Sequence, residues 1–213
     1  MTKMKPPAVV VIGDLVGSRR AADRTALHER VASCLASVNE EFGADLRMTV
    51  GDEYQGAFPS VGGALRATLA LRLALLPAAD VRHGIGLGPV ETLDVITRIE
   101  DGPGWWAARA AIGTVETAQA RPATRSLRTA YRRAPGQRGP EPALIDAALL
   151  GRDELVGRLS ERGLSVLRGL LEGRTQREIA AVEGVSTSAV SQRVRHDGLG
   201  VVIAMDELMG GVT

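Results

Sequence analysis

Residues Met48–Phe58 read MTVGDEYQGAF, and the fold follows from how this stretch bends. Met48 and Val50 alternate with Arg47 and Thr49 as in a half-buried strand, and a second apolar run resumes after the acidic pair. The reading is a hairpin of Leu46–Val50 and Tyr54–Phe58, with Asp52 and Glu53 in its bend. Two carboxylates in a tight turn beside glycine bury little. They are either an ordinary solvated turn or a place for a metal ion or a polyphosphate.

Working outward, Pro7–Ile12 is a short valine-dense run that breaks into Gly13, Asp14, Leu15, Val16, Gly17 and Ser18. It has the pattern of a buried first strand, with Asp14 just past its end. From Asp23 to Phe42, Leu27, Val31, Cys34, Leu35, Val38 and Phe42 recur at helical spacing, and Gly43 closes the helix. Ser60 caps a second helix, which carries Leu65, Leu69, Leu73 and Leu76 until Pro77 stops it. Val81–Leu87 is a further strand, with Gly84, Gly86 and Gly88 at alternate positions. Strand, helix, strand, strand, helix, strand is the order of a ferredoxin-like α+β domain.

That topology makes a geometric statement. The first two strands run parallel through a right-handed crossover, so Asp14 and Asp52 come to one end of the sheet, close enough to share a cation. Glu53 is the third candidate ligand, and hard carboxylate oxygens suit Mg²⁺ or Mn²⁺. The first helix begins at the same end, where Gly13, Gly17, Ser18, Arg19 and Arg20 are placed to receive a phosphate. His83 lies in an apolar strand and is read as structural.

Val90–Ile99 reads as an excursion carrying a strand pair, and DGPG at 101–104 as a turn. Trp105–Ala120 is an alanine-rich third helix. Trp105 and Trp106 cannot face one way, and Arg109, one turn beyond Trp105, is expected to point with it. Residues 121–142 carry six arginines and several prolines and glycines. They read as a linker that is either solvated or laid on phosphates.

The last third predicts a small all-α unit. Leu164, Leu167, Leu170 and Leu171 form a short helix, Thr175 and Glu178 a capping box, Gly184 a turn, and Ser186 the cap of a helix with Val190 and Val194 inward. This is helix-turn-helix spacing. Thr187, Ser188, Ser191, Gln192, Arg193 and Arg195 form its outward face, and Arg174 and Arg177 are suited to DNA phosphates. A homodimer reading two half-sites is expected, with Leu199–Met209 as a closing amphipathic helix. The domain reading is 1–120 for the α/β unit, 121–142 for the linker and 143–213 for the helix-turn-helix unit.

Composition narrows the classes. Aromatic residues make up 3% of the chain, too few for base-stacking platforms. Cys34 is the single cysteine, so no intrachain disulfide forms and a reducing, cytoplasmic setting is expected. No signal peptide and no apolar run of about 18 residues is seen, so no membrane span is expected.

The motifs VIGDLVGSR, GDEYQG, RHGIGLG, the GP…AR segment and the terminal helices together resemble the SatD family over nearly the whole chain. More distantly, the first domain is similar to class III nucleotidyl cyclases and GGDEF-type diguanylate cyclases. Those proteins hold two metal ions on an acid after the first strand and another in the second hairpin. The likeness implies metal-binding roles for Asp14 and Asp52 and places Arg109, in WWAAR, where the cyclase transition-state arginine stands. Trp105 occupies the position of that motif's asparagine, VGDEY replaces GGDEF, and the base-selecting pair has no match.

The main expectation is therefore a cytoplasmic, dimeric, DNA-binding transcriptional regulator whose first domain senses a metal-bound nucleotide or related phosphorylated ligand. One alternative is a metal-dependent nucleotidyl cyclase or phosphoryl-transfer enzyme with Arg109 as its catalytic residue. Another is a non-catalytic scaffold. Whether the chain is an enzyme stays open at this point.

Overall fold

The computed structural model describes residues 7–18 and 23–213. In chain order the strands are β1 (Ala8–Val16), β2 (Arg47–Met48), β3 (Glu53–Phe58), β4 (Asp80–Gly88), β5 (Glu91–Asp94), β6 (Ile99–Asp101) and β7 (Thr129–Arg133). Five of them make one sheet in the order β2-β3-β1-β4-β7, and β5 and β6 pair separately as a hairpin. β1 lies antiparallel to both β3 and β4, and β3 antiparallel to β2, so β1 and β2 run parallel as the ferredoxin-like order requires.

Strand alternation divides the core into two faces. Val9, Val11 and Leu15 of β1 belong to the cluster beneath α1 (Arg24–Phe42) and α2 (Val61–Leu75). Val10 and Ile12 point the other way, against Trp105, Ala108 and Ile112 of α3 (Pro103–Gln119). The caps are those expected. Asp23 opens α1, Gly43 closes it at φ 62°, and the Ser60 hydroxyl accepts from the Gly63 N–H at 3.0 Å.

The alternate glycines of β4 have a packing cause. A Cβ on Gly84 would stand 2.2 Å from the Ala108 carbonyl oxygen, and one on Gly86 2.2 Å from that of Gly104. The backbone of α3 therefore rests directly on β4, which only glycines beneath small residues permit.

Two expectations need correction. β2 is two residues long and Val50 is 86% exposed, because the chain leaves the sheet before the turn. The stretch read as a linker holds β7, which pairs parallel with β4 from His83↔Thr129 to Leu87↔Arg133 and completes the sheet edge. Two of its arginines serve that edge: Arg128 bonds Asp80 at 2.7 Å and Arg132 bonds Asp146 at 2.5 Å.

After β7 come α4 (Pro142–Gly157), α5 (Glu161–Leu171), α6 (Gln176–Glu183), α7 (Thr187–His196) and α8 (Leu199–Gly210). The Thr175–Glu178 capping box, Gly184 at φ 64° and the Ser186 cap are all present. These helices share a second core into which α2 contributes Leu69 and Leu73. The end of the chain returns to α2, where the Gly62 N–H donates to the Val212 carbonyl at 3.0 Å. No helix among the described residues is long and apolar enough to cross a membrane.

Candidate functional site

The end of β1 and the turn before β3 meet as the topology requires, but the strand runs on to Val16, so Asp14 lies inside it rather than just past its end. Asp14 pairs in register with Glu53 on one side and Arg82 on the other, and the Leu15 N–H donates to the Asp52 carbonyl at 3.4 Å. Ser18, buried, donates its hydroxyl to the Asp52 carboxylate. Gly17 holds a left-handed φ of 73°, the bend that returns Ser18 toward Asp52. Gly13 instead makes room for an aromatic ring, since a Cβ there would stand 2.2 Å from Tyr54.

Among the described residues the site is short of positive charge. Burial raises the Asp14 carboxyl above its ordinary value; Arg82 opposes this, and the neighbouring charges of Asp52, Glu116 and Glu53 add to it. Arg82 sits 3.7 Å from Asp14 and 2.8 Å from Glu116. Sequence reading missed Arg82 and Glu116. The signal for Arg82 was available, since an arginine directly across a strand pair from an aspartate is a favourable cross-strand partner.

Glu53 opens β3 and is taken up elsewhere. Both its oxygens are bonded by Arg109, at 2.8 and 3.0 Å, in a two-pronged pair. Arg109 and Trp105 accordingly diverge. Trp105 is buried, whereas Arg109 reaches across the sheet end to the hairpin. Trp106 is the exposed one, its indole N–H donating to Asp101 at 2.8 Å. Glu53 is thus not a free metal ligand, and among the described residues no group of three or more His, Cys, Asp or Glu side chains could hold an ion.

Beneath the site lies a neutral floor. The Tyr54 hydroxyl and His83 Nε2 are 2.7 Å apart and both residues are fully buried. Burial, with the positive charges of Arg152 and Arg72, pushes the His83 imidazole down to about 3, and burial raises the Tyr54 hydroxyl. Neither group exchanges protons near neutrality, so the structural reading of His83 holds. Burial raises the Cys34 thiol, against a nucleophilic role.

Arg19 and Arg20 lie outside the described residues. The start of α1 is already capped by the Asp23 carboxylate, which accepts from the Ala26 N–H at 2.9 Å. On the helical unit, Arg174, Arg177, Thr187, Ser188, Gln192 and Arg195 are exposed, while Ser191 and Arg193 are half-buried. Arg193 pairs with Asp197 at 3.3 Å and Arg174 with Glu172 at 2.5 Å.

Among similar solved structures, a bacterial light-regulated adenylyl cyclase matches with TM-score 0.46 and 12% identity, over 62% of this chain and 44% of that one. The guanylyl cyclase domain of a fusion protein from the aquatic fungus Blastocladiella emersonii matches with TM-score 0.44 and 15% identity, over 53% and 76%. An adenylate/guanylate cyclase/hydrolase from Silicibacter pomeroyi gives 0.41 and 18%, over 50% and 69%. This is a likeness of fold. No curated protein matches the chain.

These findings correct the expectation of a DNA-binding transcriptional regulator. The similar structures are nucleotide cyclase domains. The family model for SatD matches residues 8–126, and the chain belongs to the SatD family.

Proposed function

We infer that the sheet end bearing Asp14 and Asp52 binds a nucleotide together with a divalent ion, and that the protein performs metal-dependent phosphoryl transfer of the nucleotidyl cyclase kind. The observation that carries this is the meeting of two carboxylates from separate elements, one of them raised by burial and like charge, beside an arginine held at the rim.

The donor set fits such an ion. Asp14 and Asp52 offer hard oxygens, and Ser18 steadies one of them. Two carboxylates without a third suit Mg²⁺ or Mn²⁺ that arrives with phosphates and retains water, rather than a permanently caged ion. Bound there, the ion would supply charge neutralisation and polarisation of the phosphoryl oxygens.

The chain's own residues do the remainder. Arg82 is shared between Asp14 and Glu116 and limits the repulsion among the acids before a cation arrives. Arg109 is held extended by Glu53, where an incoming phosphate competes with Glu53 for the guanidinium. Tyr54 and His83 keep the floor dry and uncharged.

A second reading, nucleotide binding without cyclisation, is favoured by Trp105. It replaces an amide in the cyclase-like motif and is buried in the core rather than turned to the site. Both readings are tested by incubating the protein with each nucleoside triphosphate and Mg²⁺ or Mn²⁺, resolving the products, and measuring thermal midpoints in parallel. Cyclic or pyrophosphate products support the first reading. A midpoint rise without products supports the second. Neither response, with wild type and Asp52→Asn alike, removes both.

A further inference from the structure

A cleft of about 570 Å³ opens on the helical side of the molecule between α1, α2, α5 and α8, and it shares no residue with the Asp14–Asp52 site. We propose that it binds a small aliphatic carboxylate, with the chain on the apolar floor and the carboxylate on Arg168.

Room for a ligand comes from Ala70 and Ala74, one turn apart on α2, between the larger Leu69 and Leu73. Val38, Phe42 and Leu171 close the apolar walls from α1 and α5. One side is pinned by Arg66, which bridges to Asp206 of α8 at 2.8 Å and lies over the Phe42 ring at 5.8 Å. The volume lies within the range of ligand pockets.

The charge pattern selects the head group. Among the described residues lining the cleft, the Asp206 and Glu172 carboxylates already pair with Arg66 and Arg174. Arg168 is half-buried and its bond is to the Leu164 carbonyl, at 3.3 Å, with no carboxylate of the described residues within 4 Å, Glu172 one turn on being paired with Arg174. A guanidinium over apolar surface is matched by an anion carrying a hydrocarbon tail. Glu41 also borders the cleft but stands exposed on the rim, where water and salt weaken its opposition.

The test is calorimetric titration of the full chain with n-decanoate below its micelle concentration, with decyltrimethylammonium as the control of opposite charge. Decanoate is expected to bind, and to bind about three- to fourfold more tightly than its homologue one methylene shorter. The cationic amphiphile is expected not to bind. Arg168→Gln should weaken decanoate about tenfold with an unchanged thermal midpoint, Ala70→Phe should abolish binding, and Asp52→Asn should leave it intact. Equal binding of the two amphiphiles, no binding of decanoate, or undiminished binding by Arg168→Gln would overturn the proposal.

Discussion

At the scale of single residues, Asp14 and Arg109 separate function from stability. The Asp14 carboxyl is raised by burial and by its acidic neighbours, so the folded state holds its proton more tightly than the unfolded chain does. The sign follows: the strain is absent at low pH, appears as pH rises through the ordinary carboxylate range, and is complete above the folded value. Asp14→Asn should therefore stabilise the ligand-free protein at neutral pH by about 1 kcal/mol, with the gain fading toward acid, while removing metal–nucleotide binding. Urea unfolding at several pH values checks this, and a variant less stable than wild type at neutrality would contradict it. The Arg109–Glu53 pair is well aligned but exposed, and such pairs contribute about 0–1 kcal/mol. We expect Arg109→Met to leave the unfolding midpoint almost unchanged and to lower triphosphate affinity or turnover at least about tenfold. A large loss of stability with normal binding would make Arg109 merely structural.

At the scale of elements, the decisive contact is α3 on β4. It sets how Arg109 approaches the hairpin, and it depends on glycines rather than on side-chain interdigitation. Gly86→Ala would place a methyl group 2.2 Å from the Gly104 oxygen and 2.5 Å from the Ala108 nitrogen, both backbone atoms. The helix must then move, at a stability loss of about 1–3 kcal/mol, and Arg109 loses its reach to Glu53. Equilibrium denaturation with wild-type stability for Gly86→Ala would show that the helix does not lie so close. The alternation Gly84, Gly86, Gly88 was visible in the chain, as was the alanine content of α3, but nothing in either says that one lies on the other. The β5–β6 hairpin was legible only as a strand pair within Val90–Ile99: its turn at 95–98 carries no glycine or proline, and the DGPG read as a turn instead leads into α3. The two-residue β2 was not, because Val50 has strand character and no neighbour to bury it.

At the scale of the whole molecule, a buried ionic cluster ties the late helices to the sheet. Asp153 of α4 is fully buried and accepts from the Arg128 and Thr129 N–H groups at 2.7 and 2.8 Å, with Arg72 and Arg152 at 3.5 and 3.4 Å. Asp153→Ala would leave the buried Arg152 without a carboxylate, Arg72 keeping Asp80 at 2.8 Å, and would free two N–H groups at β7, a loss of about 3–5 kcal/mol. Chemical denaturation reading under about 1 kcal/mol would refute the cluster's role. The chain by itself determined α1, α2 and α5 to α8, the caps at Gly43, Ser60, Thr175, Gly184 and Ser186, the strand order through β4 and the meeting of Asp14 with Asp52, because periodicity, capping residues and crossover handedness are local or topological rules. Only the tertiary structure decided that residues 129–133 form a sheet edge, that Glu53 belongs to Arg109, and that Trp105 turns inward. Each of those outcomes depends on which distant group supplies a missing hydrogen bond, countercharge or apolar wall, and sequence spacing carries no record of that partner.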